Sequence, residues 1–73
     1  MLRIAPQSRR KVIRALVKRG WTLVRPGKKH DIYGHPINPV PIAVPRHRVI
    51  SPGVIENICE ILGERPIDFV ASL

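Results

Sequence analysis

The segment Arg25-Pro26-Gly27-Lys28-Lys29-His30 crowds three cationic side chains around one imidazole, and phosphate is its natural occupant. Histidine exchanges a proton near neutrality, which suits it to general-base work beside a bound phosphodiester. A neutral His30 would take the proton of a ribose 2′-OH. The freed oxygen would attack the neighbouring phosphorus while Lys28 and Lys29 hold the charge developing on the phosphoryl oxygens. DNA lacks that hydroxyl, so this chemistry selects RNA and leaves a 5′-hydroxyl and a 2′,3′-cyclic phosphate. The plainer reading is a basic loop that only holds phosphate, with His30 a solvated bystander. Residue chemistry leaves both open.

His47, between Arg46 and Arg48, has three readings: it lines the same phosphate surface, serves as a second proton donor or acceptor, or sits in a surface loop. The last is the plainest. A metal site built from His30, His35 and His47 is disfavoured, because separations of five and twelve residues lack the short paired spacing of metal ligands. Magnesium needs clustered carboxylates, and Asp31 is the only acid before Glu56. Cleavage of a phosphodiester here is therefore expected to need no metal, and no cofactor is implied. Trp21, Tyr33 and Phe69 are too few and too scattered for a base-stacking platform.

Charge along the chain points the same way. Residues 1–50 hold twelve of the thirteen Lys and Arg against one acid, a net +11, whereas residues 51–73 set one Arg against four acids, a net −3. So basic a half attracts polyanions. Nucleic acid is the first candidate, although anionic lipid or an acidic partner protein would feel the same field. The 73 residues are expected to form one domain, 1–73, with a thin core, since chains of this size bury only about 60% of their unfolded surface. No apolar run approaches the ~18 residues of a membrane span, and the first residues lack the apolar stretch of a secretory signal. A lone cysteine, Cys59, suits a reducing cytoplasm.

The elements that must position these residues follow from periodicity. Ser8 is a candidate N-cap for a basic helix of about three turns. Val12, Ile13, Leu16 and Val17 form its apolar stripe, and Gly20 ends it. Residues 21–25 and 31–35 read as a β-hairpin whose loop ends at His30, with Trp21 and Leu23 sharing one face. On the second strand His30, Ile32 and Gly34 oppose Asp31, Tyr33 and His35. A third run, Val40 to Val44, turns Val40, Ile42 and Val44 inward; Pro41 predicts that it lies at a sheet edge or starts late. Residues 45–50 read as a basic loop, followed by a helix opened by Ser51-Pro52 and closed by Gly63. Val54, Ile55, Ile58, Cys59, Ile61 and Leu62 supply its buried side. Pro66 to Leu73 suggests a short last helix with Ile67, Phe69 and Val70 on the core. The fold class is α+β: α-β-β-β-α with a three-stranded antiparallel sheet, as in double-stranded-RNA-binding domains.

With these elements placed, residues 20–36, Gly-Trp-Thr-Leu-Val-Arg-Pro-Gly-Lys-Lys-His-Asp-Ile-Tyr-Gly-His-Pro, resemble the diagnostic segment of HicA toxins. That family carries Gly-Trp after its leading helix, then an Arg, then Gly-Ser-His with an aromatic three residues on. His30 falls at the histidine and Tyr33 at the aromatic, while Lys28-Lys29 replaces Gly-Ser. Val44-Pro45-Arg46-His47 and Ile50-Ser51-Pro52-Gly53 are similar to later family stretches, so the resemblance spans about residues 9–73. It implies a double-stranded-RNA-binding type of fold, mRNA interferase activity with His30 catalytic, and a HicB-like antitoxin that covers the active surface. Arg25, Lys28, Lys29, Arg46 and His47 are the expected RNA-binding residues. The alternative is a non-catalytic RNA-binding module of the same fold. An adaptor working through protein contacts alone would bind RNA weakly, with little salt dependence, against what the charge predicts.

Overall fold

A computed structural model describes residues 4–73. The Ser8 hydroxyl accepts the Lys11 N–H at 3.5 Å and opens helix α1, Arg9–Lys18. Gly20, just beyond, has φ +90°, and a Cβ there would come within 3.0 Å of the His35 ring, so glycine is required on two counts. Val12, Ala15 and Leu16 form the buried face of α1. Val17, predicted on that stripe, is exposed. With Ala15 on the core side, the stripe centres on Val12 and Leu16, and about 100° per residue carries Val17 past its edge.

Strands β2 (Thr22–Pro26), β3 (His30–Gly34) and β4 (Ile42–Pro45) form an antiparallel sheet in the order β2-β3-β4. Tyr33 pairs with Ile42 and Asp31 with Val44. Tyr33, Ile42 and Val44 are buried in the one core cluster, so the helices cover that face. His30, one residue out of phase with Asp31 and Tyr33, belongs to the opposite face. Pro41 has the forecast effect: β4 starts late, at Ile42, and forms a sheet edge. Val40 precedes the strand and is exposed instead of inward. Leu23 is also exposed, while its predicted face-mate Trp21 is buried. Trp21 lies before β2, and a register shift between Leu23 and Arg25 re-aims an edge strand exposed along its whole length.

Two elements were not read from sequence. Val49–Ile50 form β5, antiparallel to β1 (Gln7–Ser8), where a loop over 45–50 was expected. Two residues are too short for an alternation signal, but Ile50 is buried and the pairing ties the chain ahead of α1 to the segment after β4. Helix α2, Pro52–Leu62, is opened by the Ser51 hydroxyl and closed by Gly63 at φ +74°. Helix α3, Pro66–Ala71, buries Phe69 and leaves Ile67 exposed against expectation, because two residues are about 200° apart on a helix. Ile55, Ile58 and Cys59 of α2 complete the core with Ile50 and Phe69, so helices and sheet form the α+β arrangement expected.

Candidate active site

The hairpin that carries His30 turns at Lys28-Lys29. Pro26 pairs with Asp31, and the Gly27 N–H donates to the His30 carbonyl at 2.8 Å. A Cβ on residue 27 would collide with that carbonyl oxygen, so the turn demands glycine through close approach. The Arg46 N–H donates to the Lys29 carbonyl at 3.1 Å, and His30 pairs with Pro45 in the ladder. These contacts draw the segment after β4 alongside the turn. Lys28, Lys29, His30, Arg46 and His47 consequently line one open cleft of about 470 Å³. Five of the six residues singled out from sequence thus meet in space. Arg25, opposite Ile32 on exposed β2, does not line the cleft.

Asp31 braces this arrangement from outside the cleft lining. Its Oδ1 accepts from Arg46 Nε and Nη2 at 3.0 and 2.7 Å, and its Oδ2 from Arg9 Nη2 at 2.7 Å. The Arg46 hydrogen bonds, seconded by Arg9, hold the Asp31 carboxyl below the usual carboxylate range. Arg9 also donates through Nε to the Pro45 carbonyl at 2.8 Å and through its backbone N–H to the Arg48 carbonyl at 2.9 Å. It therefore ties the start of α1 to both strands that bear the cleft. From sequence, Arg9 reads as part of the basic exterior of the helix. The available signal was Asp31 itself, the sole acid in a strongly basic half.

Pairing sets the electrostatics of the cleft. Arg46 is answered by Asp31, whereas Lys28 and Lys29 have no acidic partner among the described residues. Its lining of cations and imidazoles suits an anion and is a poor donor set for a hard divalent cation, which prefers carboxylate and carbonyl oxygens.

His35 is held elsewhere. The Ile37 N–H donates to its Nδ1 at 3.1 Å, which leaves the proton on Nε2 to be donated to the Arg19 carbonyl at 3.0 Å. Its ring leans on Trp21 with centroids 5.3 Å apart. Among the described residues no three His, Cys, Asp or Glu side chains form a metal-sized group. Cys59 is buried, and that burial pushes its thiol up to about 11, so it is a poor nucleophile. No helix among the described residues is long and apolar enough to cross a membrane.

Fold and site together define a small basic α+β protein that offers cations and imidazoles to an anion-sized cleft. The chain belongs to the HicA toxin family: residues 9–64 match the family described as HicA toxin of bacterial toxin-antitoxin. It is thus the toxin of a toxin-antitoxin system and has an antitoxin for partner. The matched span runs from the first residue of α1 to just past α2 and contains the whole cleft. No curated protein matches the chain, and no solved structure does.

Proposed function

We propose that this toxin is an endoribonuclease that cuts mRNA without a metal ion, with His30 as the catalytic residue. The observation that carries the reading is the company of His30: an exposed imidazole in a cleft walled by Lys28, Lys29, Arg46 and His47. An unprotonated ring nitrogen of His30 takes the 2′-OH proton, and the 2′-oxygen attacks the adjacent phosphorus. The bond to the 5′-oxygen breaks, leaving a 2′,3′-cyclic phosphate on one fragment. His47 or water returns a proton to the departing oxygen, which becomes a 5′-hydroxyl. Lys28 and Lys29, free of acidic partners among the described residues, neutralise the charge growing on the phosphoryl oxygens. Arg46, positioned by Asp31, binds the same phosphate, and Arg25 adds charge along the neighbouring edge strand.

The family gives the toxin an antitoxin partner. A HicB-like antitoxin with an acidic surface would silence such a site by covering the cleft. Messenger RNA as substrate puts the work in the cytoplasm.

The test is cleavage of RNA in excess chelator by the wild type and by His30→Ala, purified identically. Cleavage by the wild type alone, with 5′-hydroxyl ends, supports the reading. Equal cleavage by both, or 5′-phosphate ends, overturns it. Salt-sensitive RNA binding with no cleavage by either protein would identify a binding module instead.

A further inference from the structure

A larger basic groove lies beside the cleft and takes no part in the chemistry above. About 980 Å³ in volume, it is walled by Arg10, Lys11, Arg14 and Arg48, with Ile13 and Tyr33 beneath. None of the four cations has an acidic partner within 4.0 Å among the described residues. Arg10 and Arg14 stand four apart on α1, a like-charge spacing that disfavours the helix, and no acid occupies its first turn. Uncompensated charge of this density is suited to an anionic occupant.

Groove and cleft are linked through Asp31, which binds Arg9 of the groove and Arg46 of the cleft. Arg46 and His47 line the cleft, and the next residue, Arg48, lines the groove. Arg9 fixes their relation, because its backbone N–H holds the Arg48 carbonyl at 2.9 Å while its guanidinium holds Asp31, the partner of Arg46. Tyr33, the one aromatic lining the groove, is buried, so bases have no stacking platform there and phosphates are what the groove can bind.

From this juxtaposition we propose that the α1 groove is a second, non-catalytic subsite that binds backbone phosphates of the same RNA strand whose scissile phosphate sits at His30. The proposal rests on the ribonuclease reading for the second half of that statement. It assigns affinity to the groove and reaction to the cleft, without sequence preference at the groove.

The experiment uses Arg10→Gln/Arg14→Gln/Arg48→Gln, in which glutamine keeps helix propensity while removing charge. In a His30→Ala background, binding to a fluorescent RNA of about 20 nucleotides is measured against salt. The slope of log K on log salt should shrink by about 0.7 for each phosphate no longer neutralised, roughly 2 in all. In the active background, kcat/KM for that RNA should fall about tenfold or more relative to kcat/KM for a dinucleoside monophosphate, which is too short to reach the groove. The matching triple Arg→Lys variant should restore most of both, since the groove binds phosphate as charge. An unchanged slope overturns the proposal. If the same variant then loses binding to polyglutamate, the groove belongs to an acidic protein partner. A reduced slope in a protein that cleaves nothing keeps the subsite and overturns only the ribonuclease reading. Circular dichroism confirms that each variant is folded.

Discussion

Strand β3 has a histidine at its start and another just past its end, and the two are treated in opposite ways. His30 is exposed, has no side-chain hydrogen bond among the described residues, and belongs to the sheet face away from the core. His35 has both ring nitrogens occupied by backbone groups and rests against buried Trp21. Residue type is the same, so role follows from unused bonding capacity. A ring whose bonds are all made within the protein has none to offer a ligand, and a ring with both nitrogens free is held only by what its neighbours attract.

The largest effects should come from setting the two ends against each other. His30→Ala should lower kcat/KM on RNA by about 10²–10⁴, the usual worth of a general base, while its thermal midpoint stays at the wild-type value. A large loss of stability would mean that His30 is structural and would erase the contrast. At the other end Trp21→Ala should cost about 3–5 kcal/mol in urea titrations, because it empties a buried aromatic site. Stability of a chain this size is only about 4–11 kcal/mol, so that variant should lose a large fraction of it.

His35→Ala should be milder, on the order of 1–2 kcal/mol for its two hydrogen bonds, with the cleavage rate per folded molecule retained. Activity lost in step with His30→Ala would instead tie His35 to the cleft.

The smallest effect sharpens the comparison through acid. Asp31 lies between the histidines, and its carboxyl is held low by Arg46 and Arg9. Its bracing is therefore complete above the ordinary aspartate range, near 3.9, and is lost only as pH falls through the depressed folded value. Carboxyl-carbon NMR should show Asp31 titrating below that range. A midpoint at or above it would mean the Arg9–Asp31–Arg46 link does not persist in solution.

Much of this fold was legible because its signals are local. Ser8 and Ser51 cap the helices they were expected to open, Gly20 and Gly63 end them with positive φ, and Pro41 delays β4 as its missing N–H requires. The failures share a cause. Val17, Val40 and Ile67 were expected inward and Leu23 on the face of Trp21, but each lies outside the arc or register that the rest of the chain covers. The pair β1 and β5 was invisible because two-residue strands carry no period, and only the partner defines them.

The candidate site divides the same way. Around His30 the turn is contiguous in sequence, so its cations, its glycine and its histidine were readable together as one basic turn. On the other wall, Arg46 and His47 were named through the family resemblance, and His47 is a surface loop residue that also lines the cleft, whereas Arg9, read as helix exterior, went unrecognised as the anchor.

Sequence by itself determined the helices, the hairpin, the sign and place of the charge, and the loop that carries His30. These depend on interactions among residues a few positions apart, which the order of residues specifies directly. Tertiary structure alone decided which histidine is free, which cations are paired, and that residues 46–48 join the turn to the α1 groove. Those outcomes depend on the register of β3 against β4, where residues fifteen apart meet, and on the long-range hydrogen bonds of Arg9, set only when the whole core closes.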